Sequence, residues 1–561
     1  MIPFFSSMKI RSNWKPGLTV ALISIPLSLS LAIASGATPL QGILTAIWAG
    51  LIYSFFAGSK YNVVGPAGAL SGILAIFAFE YGAAALPALA VLSGLFILAA
   101  WYFRLERYLV FVPASALHGF TMGVALTIGL NQLNFALGLS ELPKHEKLID
   151  NLVESMYHVG DFSPVTLGIF LIFLMGLFLF AKWTPKMPGA VILAPIGIII
   201  GMLSSNGTLP FTLYTLQSTY GDLQMRLFEF PHPVISLNIL VAAMTVAFVA
   251  ILETLISAKI ADGMAKTRQK YGRHKEMKAL AFANIASGLM GGIPATGVFA
   301  RTALNVKTGA TDKTACFLQS IFVALISLFL FGYFSYIPLA VIAAILVFAA
   351  IRMVELHHYR RAFDFDRLGF WVMILVAFVT VYHDPMIGIF AGTAIALVLF
   401  VERLSKGQFE LVFNHPEKKV LGTVTGDSAA AMSQEGTFED CDTMVYSLKG
   451  QLAYLNALAH VDRFEKKLTD YENVILRFRE LSFMDLDGVD AFDEIVEIVE
   501  RKGKMVYVSG VNASVEATLK HSKHYGRLKQ DGRVFDKTTS VLGSLGYGKL
   551  GYYEKVVEAI G

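Results

Sequence analysis

Apolar runs separated by short polar loops dominate the chain up to Glu402, where the pattern stops. A hydrocarbon core about 30 Å thick needs roughly 20 helical residues. On that scale the pattern predicts spans near 17–35, 40–57, 82–102, 112–130, 166–182, 189–204, 236–258, 278–291, 316–331, 336–350, 368–382 and 386–402. Two more apolar runs, Ala67 to Ala78 and Thr296 to Lys307, hold about twelve residues, roughly 18 Å of helix, and cannot cross alone. Beyond Glu402 charges recur every few residues, as from Val461 to Leu468, which is soluble-protein patterning. The expected organisation is a cytoplasmic N-terminus (1–16), a membrane domain (17–402), a short polar linker (403–409) and a soluble domain (410–561).

The two short runs share a lead-in. Glycine and proline precede each, in Tyr61–Pro66 and in Gly291–Pro294. Proline fixes φ and pushes the residue before it towards extended geometry, so each reads as a strand-like piece followed by a half-helix beginning near the proline. Irregular backbone at membrane depth is tolerated only where protein buries it or where it lines a cavity. Two such interruptions in corresponding places of two halves point to a transporter site at the midplane. Each half, about 17–205 and 236–402, then holds seven segments. Seven is odd, so the repeats are inverted.

Composition agrees: 55% of the 561 residues are hydrophobic and 16% charged, against about a quarter charged in soluble domains. A net charge of +4 is too small to suggest a nucleic-acid footprint, and Cys316 and Cys441 cannot build a disulfide framework or a closed zinc site. No phosphate-binding loop occurs, and no catalytic residue, resident metal or cofactor is expected. Lys9, Arg11 and Lys15 precede a first segment that runs into further membrane sequence, so it is expected to stay. Arg104, Arg107, Lys182, Lys186, Lys266, Arg268, Lys270, Arg273, Lys275, Lys278, Arg352, Arg360, Arg361 and Arg367 fall on one side of a fourteen-segment topology. The opposite loops are acidic or nearly neutral: Glu141, Glu146, Asp150, Glu154 and Asp161 stand against Lys144 and Lys147, and Asp222 and Glu229 against Arg226. Both termini are therefore expected in the cytoplasm of a cell inner (plasma) membrane protein.

Ionisable residues inside membrane segments are costly and default to function. Glu253 lies deep in such a segment with Ser257 one turn along the same face, a pair suited to a proton or a sodium ion. Arg301 follows the second half-helix start, where unpaired N–H groups already attract an anion. It is read either as a substrate ligand or as a counter-ion to Glu253. Ser28 and Ser30 cannot share one face unless Pro26 distorts the turn; at most one is expected at the site, and for each alone a bond back to its own helix is the commoner arrangement. His118, Asn131 and Gln132 are assigned packing roles.

The ordered set Pro26–Pro39, Gly65–Gly68, Glu253 with Ala261–Met264, and Gly291–Asn305 resembles the SulP family of anion transporters over nearly the whole chain. The resemblance implies an α-helical polytopic fold, 14 transmembrane segments in a 7+7 inverted repeat. Segments 1–4 and 8–11 would form a mobile core and 5–7 and 12–14 a gate in an elevator-like cycle. It implies a substrate between the half-helix starts, at Ala67 and Gly68 on one side and Gly297, Val298, Phe299 and Ala300 on the other. Leu31, with Ser28, comes from the first segment. Glu253 and Ser257 match the coupling positions. Sodium-dependent bicarbonate members carry aspartate there, with hydroxyls at the positions of Ala67, Ser257 and Phe299. Glutamate is similar to proton-coupled members that carry dicarboxylates or other anions. The tail resembles a cytoplasmic α/β STAS domain, with strands at 474–479 and 505–509 and a helix burying Phe492, Ile495, Val496 and Val499. The loop Asp485–Gly488 has no hydroxyl to phosphorylate, and Asp487 is read as a fixed charge or as an exposed acid near the helix start.

A secondary active transporter of sulfate, bicarbonate or dicarboxylate, coupled to protons, is the expected function. Sodium-coupled bicarbonate uptake, an anion channel on the same scaffold and an anion sensor signalling through the tail are the alternatives. A homodimer in the lipid bilayer and a cytoplasmic partner of the STAS domain are the expected associations.

Overall fold

The computed structural model describes residues 8–139, 142, 145, 148–183, 189–221, 223–229, 237–267, 270–383, 385–414, 422–425, 442–467 and 471–547. Glu141, Lys144, Glu146, Lys147, Lys186, Asp222, Arg268 and Cys441 lie outside these. The chain divides into two compact units, Met1–Ala396 and Leu397–Gly561.

Fourteen apolar helices follow the predicted order among the described residues: α1 (Ile10–Ala34), α2 (Pro39–Phe56), α3 (Gly68–Tyr81), α4 (Leu86–Tyr102), α5 (Ala114–Leu130), α6 (Pro164–Trp183), α7 (Gly189–Ser205), α8 (Leu237–Met264), α9 (Arg273–Leu289), α10 (Phe299–Lys307), α11 (Thr314–Phe334), α12 (Leu339–Met353), α13 (Arg367–Tyr382) and α14 (Pro385–Ser405). Several start or stop outside the apolar window. Helix α1 begins at Ile10, inside the segment expected to be a cytoplasmic N-terminus, and α9 begins five residues before the predicted Lys278. Backbone hydrogen bonding carries a helix past its apolar stretch until a cap or turn stops it. Helix α14 likewise runs to Ser405, so the expected linker is divided between the end of that helix and the first strand of the tail, which starts at Gln408.

Packing pairs recur seven helices apart. Helix α1 packs on α11 as α8 does on α4; α2 packs on α11 as α9 does on α4; α5 packs on α13 as α12 does on α6. Helices α2 and α9 pack on each other, as do α5 and α12. This is the pattern expected of two structurally equivalent halves. Lipid offers no hydrophobic drive between helices, so close approach depends on small residues. At the α4–α9 contact a side chain on Gly94 would stand 2.8 Å from the backbone nitrogen of Ile285, and one on Gly288 would stand 2.4 Å from the carbonyl of Pro87. Only glycine fits at both places.

The second unit carries a six-stranded sheet in the order β4-β3-β5-β6-β7-β8, formed by β3 (Gln408–Asn414), β4 (Gly422–Thr425), β5 (Thr443–Leu452), β6 (Asn473–Met484), β7 (Met505–Ser509) and β8 (Val534–Phe535). Strands β5 to β8 are parallel, while β3 is antiparallel to both β4 and β5. Helix α15 (Ala457–Lys467) follows β5, and α16 (Leu486–Arg501) crosses from β6 to β7. Phe492, Ile495, Val496 and Val499 of α16 are buried in the core with Phe464, Phe478 and Val508. Asp485 caps α16, its carboxylate accepting from the Gly488 N–H at 2.9 Å, while Asp487 is exposed in the first turn.

Candidate functional site

The two half-helices meet through their lead-ins. Val64–Gly65 (β1) and Thr296–Gly297 (β2) form a two-stranded antiparallel pair, with Val64 opposite Gly297 and Gly65 opposite Thr296. The Val298 N–H donates to the carbonyl of Val63 at 2.8 Å. This corrects the expected half-helix start: Thr296 and Gly297 are strand, α10 begins at Phe299, and its N-cap is Val298. Neither proline occupies a first helical turn, because Pro66 precedes the N-cap Ala67 and Pro294 precedes β2. Cross-strand pairing claims Gly65 just before Pro66 and Thr296 two residues after Pro294, and the helices start only after it ends. Neither Ala67 nor Val298 supplies a side-chain cap, so the first N–H groups of α3 and α10 have no capping side chain.

Of the sequence-derived candidates, Ala67, Gly68, Gly297 and Val298 are buried beside this strand pair, while Phe299 and Ala300 in the first turn of α10 are exposed. Gly68 faces the neighbouring helices: a side chain there would meet Ile128 of α5 at 2.9 Å and Met353 of α12 at 3.2 Å. Leu31 is buried within α1.

Arg301 is completely buried. Its Nη2 donates to the Ser28 hydroxyl at 3.0 Å, while Nε and Nη1 have no hydrogen-bond partner. The Gly65 backbone sits directly against Nη1, where a side-chain carbon would come within 2.3 Å. Among the described residues no direct ion pair joins Arg301 to Glu253. The expected Ser28 bond to its own helix is likewise replaced by this link to α10. Ser30 is buried without a partner.

Glu253 on α8 is partly buried, and its carboxylate accepts a hydrogen bond from the Thr296 hydroxyl of β2. One residue along α8, the Thr254 hydroxyl accepts from the Gly297 N–H at 2.8 Å. Ser257 is engaged elsewhere: it donates to Asn62 Oδ1 at 2.8 Å and lies 3.2 Å from the Thr302 hydroxyl. Glu253 and Ser257 thus share a helix face but serve different partners.

Pattern reading missed the network behind the strands. Glu276 of α9 is fully buried, accepts from the Gly58 and Ser59 N–H groups and from Asn62 Nδ2 at 2.9 Å each, and accepts from the Tyr53 hydroxyl. Asn62 in turn accepts from Thr302 at 2.9 Å, and Asn305 donates to the Tyr61 carbonyl at 2.8 Å. Glu276 lies just before the apolar window that marked its helix, so its charge read as loop. A separate cavity of about 260 Å³ lies at the far ends of α1 and α3, lined by Gly36, Ala78, Asn131, Gln132 and Asn134 among others. It contains none of the candidate site residues.

Two interrupted helices meeting through a buried strand pair, with a cation and a carboxylate beside them and a STAS-like sheet following, define a membrane transporter. The chain belongs to the sulfate permease family: residues 11–376 match it, and residues 436–537 match the STAS domain. YvdB of Bacillus subtilis (strain 168), whose name assigns it provisionally to sulfate transport, is 30% identical over 92% of this chain and 94% of its own. The bicarbonate transporter BicA of Picosynechococcus is 22% identical over 98% of this chain and 97% of its own. The inward-facing structure of the murine Solute Carrier 26 family member A9 anion transporter has the same fold, with a TM-score of 0.80 at 15% identity, covering 96% of this chain and 92% of that one.

Proposed function

We propose that this chain is a secondary active transporter of small anions, coupled to protons through Glu253 and working by an elevator-like displacement of α1–α4 and α8–α11. The observation that carries the reading is Arg301, a buried guanidinium with two nitrogens unpartnered, next to two uncapped half-helix starts. A buried charge so poorly compensated is costly, and an anion held at the exposed first turn of α10 offsets that cost. Because Arg301 sits behind β1, it acts through its field, and the N–H groups of α3 and α10 supply the contacts. The relatives named for sulfate and bicarbonate support an inorganic oxyanion as the cargo.

Charge arithmetic favours the proton. At the strand pair itself ionised Glu253 offsets Arg301, so a bound monoanion adds one uncompensated negative charge there. A proton on Glu253 removes that charge, and a neutral load crosses the low-dielectric region at least cost. Sodium coupling would bring Glu253 and Ser257 to one ion, whereas their hydrogen bonds run to Thr296 and Asn62 separately.

Uptake into proteoliposomes of sulfate, bicarbonate, fumarate and chloride, each with and without sodium or an inward proton gradient, tests the reading. Saturable uptake stimulated by the proton gradient is expected, and Glu253→Gln should keep exchange but lose that stimulation. A Glu253→Gln protein that responds to the gradient like the parent leaves Glu253 a structural role. Val298→Asp should abolish binding by placing like charge at the anion position.

A further inference from the structure

Pattern alone gives His118 a packing role, but its neighbours suit different chemistry. It lies in the first half of α5, and the turn after α12 brings Glu355 and His358 against it. One ligand atom from each of His118, Glu355 and His358 lies within 4.8 Å of the others, and all three side chains are half-buried. The His358 Nε2 to Glu355 Oε2 separation is 2.8 Å, and the His118 and His358 rings stack with centroids 4.2 Å apart. The Tyr359 hydroxyl donates to the His118 carbonyl at 2.6 Å, which pins the short helix Leu356–Phe365 to α5.

We propose that His118, Glu355 and His358 form a binding site for a divalent transition metal of the zinc class. Two imidazoles and one carboxylate with an open fourth position are a ligand set for Zn²⁺, and imidazole also suits Co²⁺, Ni²⁺ and Cu²⁺. Bonds of about 2.0–2.2 Å in a tetrahedron place ligand atoms roughly 3.3–3.5 Å apart. Glu355 and His358 are three apart at a helix start, so both reach one ion. The ion replaces the proton on the ring nitrogen that faces Glu355, and water fills the fourth position. The site bridges α5 to the α12–α13 connection, includes neither Arg301 nor Glu253, and stands independently of the transport reading.

The test uses full-length protein in nanodiscs, without a histidine tag and stripped with EDTA. Zn²⁺ is measured by equilibrium dialysis, and Co²⁺ by the visible absorption of its four-coordinate form. One tight equivalent per chain is expected for the parent. It should be lost in His118→Ala and His358→Ala, and weakened at least tenfold in Glu355→Gln. Zn²⁺ should raise the melting temperature of the parent and leave that of His358→Ala unchanged. A parent that binds no equivalent at micromolar Zn²⁺, or alanine variants that keep it, overturns the proposal. Should His118→Ala fail to fold, His358→Ala and Glu355→Gln decide, since both lie on the partly exposed connection.

Discussion

Arg301 and Ser28 stand 273 positions apart in sequence and are joined by one hydrogen bond. What lets them meet is a missing side chain at Gly65, whose place the guanidinium occupies. Gly65→Ala is therefore expected to push Arg301 away and weaken anion binding about tenfold or more, about 1.4 kcal/mol. Scintillation proximity with a labelled anion checks this, and unchanged affinity in a folded Gly65→Ala protein removes Arg301 from the site. The sequence named Arg301 and Ser28 separately, from membrane burial and from motif. Their pairing was not legible, because nothing local to either residue encodes a contact that distant.

At the scale of elements, the strand pair is held from behind by side chains on three different segments. Glu276 gathers the Tyr53 hydroxyl, two backbone N–H groups of the α2–β1 connection and Asn62, which reaches on to Ser257 and Thr302. Glu276→Ala leaves several buried donors unmet at about 1–3 kcal/mol each. It should lower stability by several kcal/mol and deplete folded protein in fluorescence-detected chromatography, with Glu276→Gln milder because the amide oxygen still accepts. Retention of parental stability by Glu276→Ala would mean water replaces the carboxylate without loss. The same scale explains why α10 starts three residues later than its apolar run: β1 and β2 pair across more than 200 positions of chain, Val64 with Gly297 and Gly65 with Thr296. Local hydropathy does not distinguish a two-residue strand from the first turn of a half-helix.

For the whole molecule, association and pH response are the measurable properties. STAS-bearing relatives motivate the expectation of a homodimer, and mass photometry in nanodiscs should give twice the chain mass; monomers alone would count against it. The STAS unit carries its own pH liability in His460. This ring is buried, with Nδ1 2.6 Å from the Tyr446 hydroxyl and Arg463 beside it. Burial, and then the Arg463 charge, push its pKa down to about 3. A base with a depressed folded pKa favours the folded state fully above its unfolded pKa of about 6.5. Below that the unfolded chain gains a proton the folded one refuses, and stability falls by up to about 1.4 kcal/mol per pH unit towards pH 3. Hydrogen exchange of the STAS unit in the full-length protein, compared at pH 7.5 and 5, should show this loss, and His460→Gln should flatten it.

Periodicity and composition alone determined the order of fourteen apolar segments, the two interruptions, the presence of a second, α/β unit in the tail and the buried face of α16. These follow from the thickness of a bilayer and the pitch of a helix, which constrain each stretch by itself. Only the tertiary structure decided that Thr296 and Gly297 are strand, that Ser28 holds Arg301, that Glu253 and Ser257 part company, and that Glu276 and His118 have specific partners. Each of those depends on which distant backbone comes within 3 Å, and that distance is set by packing across the whole membrane unit.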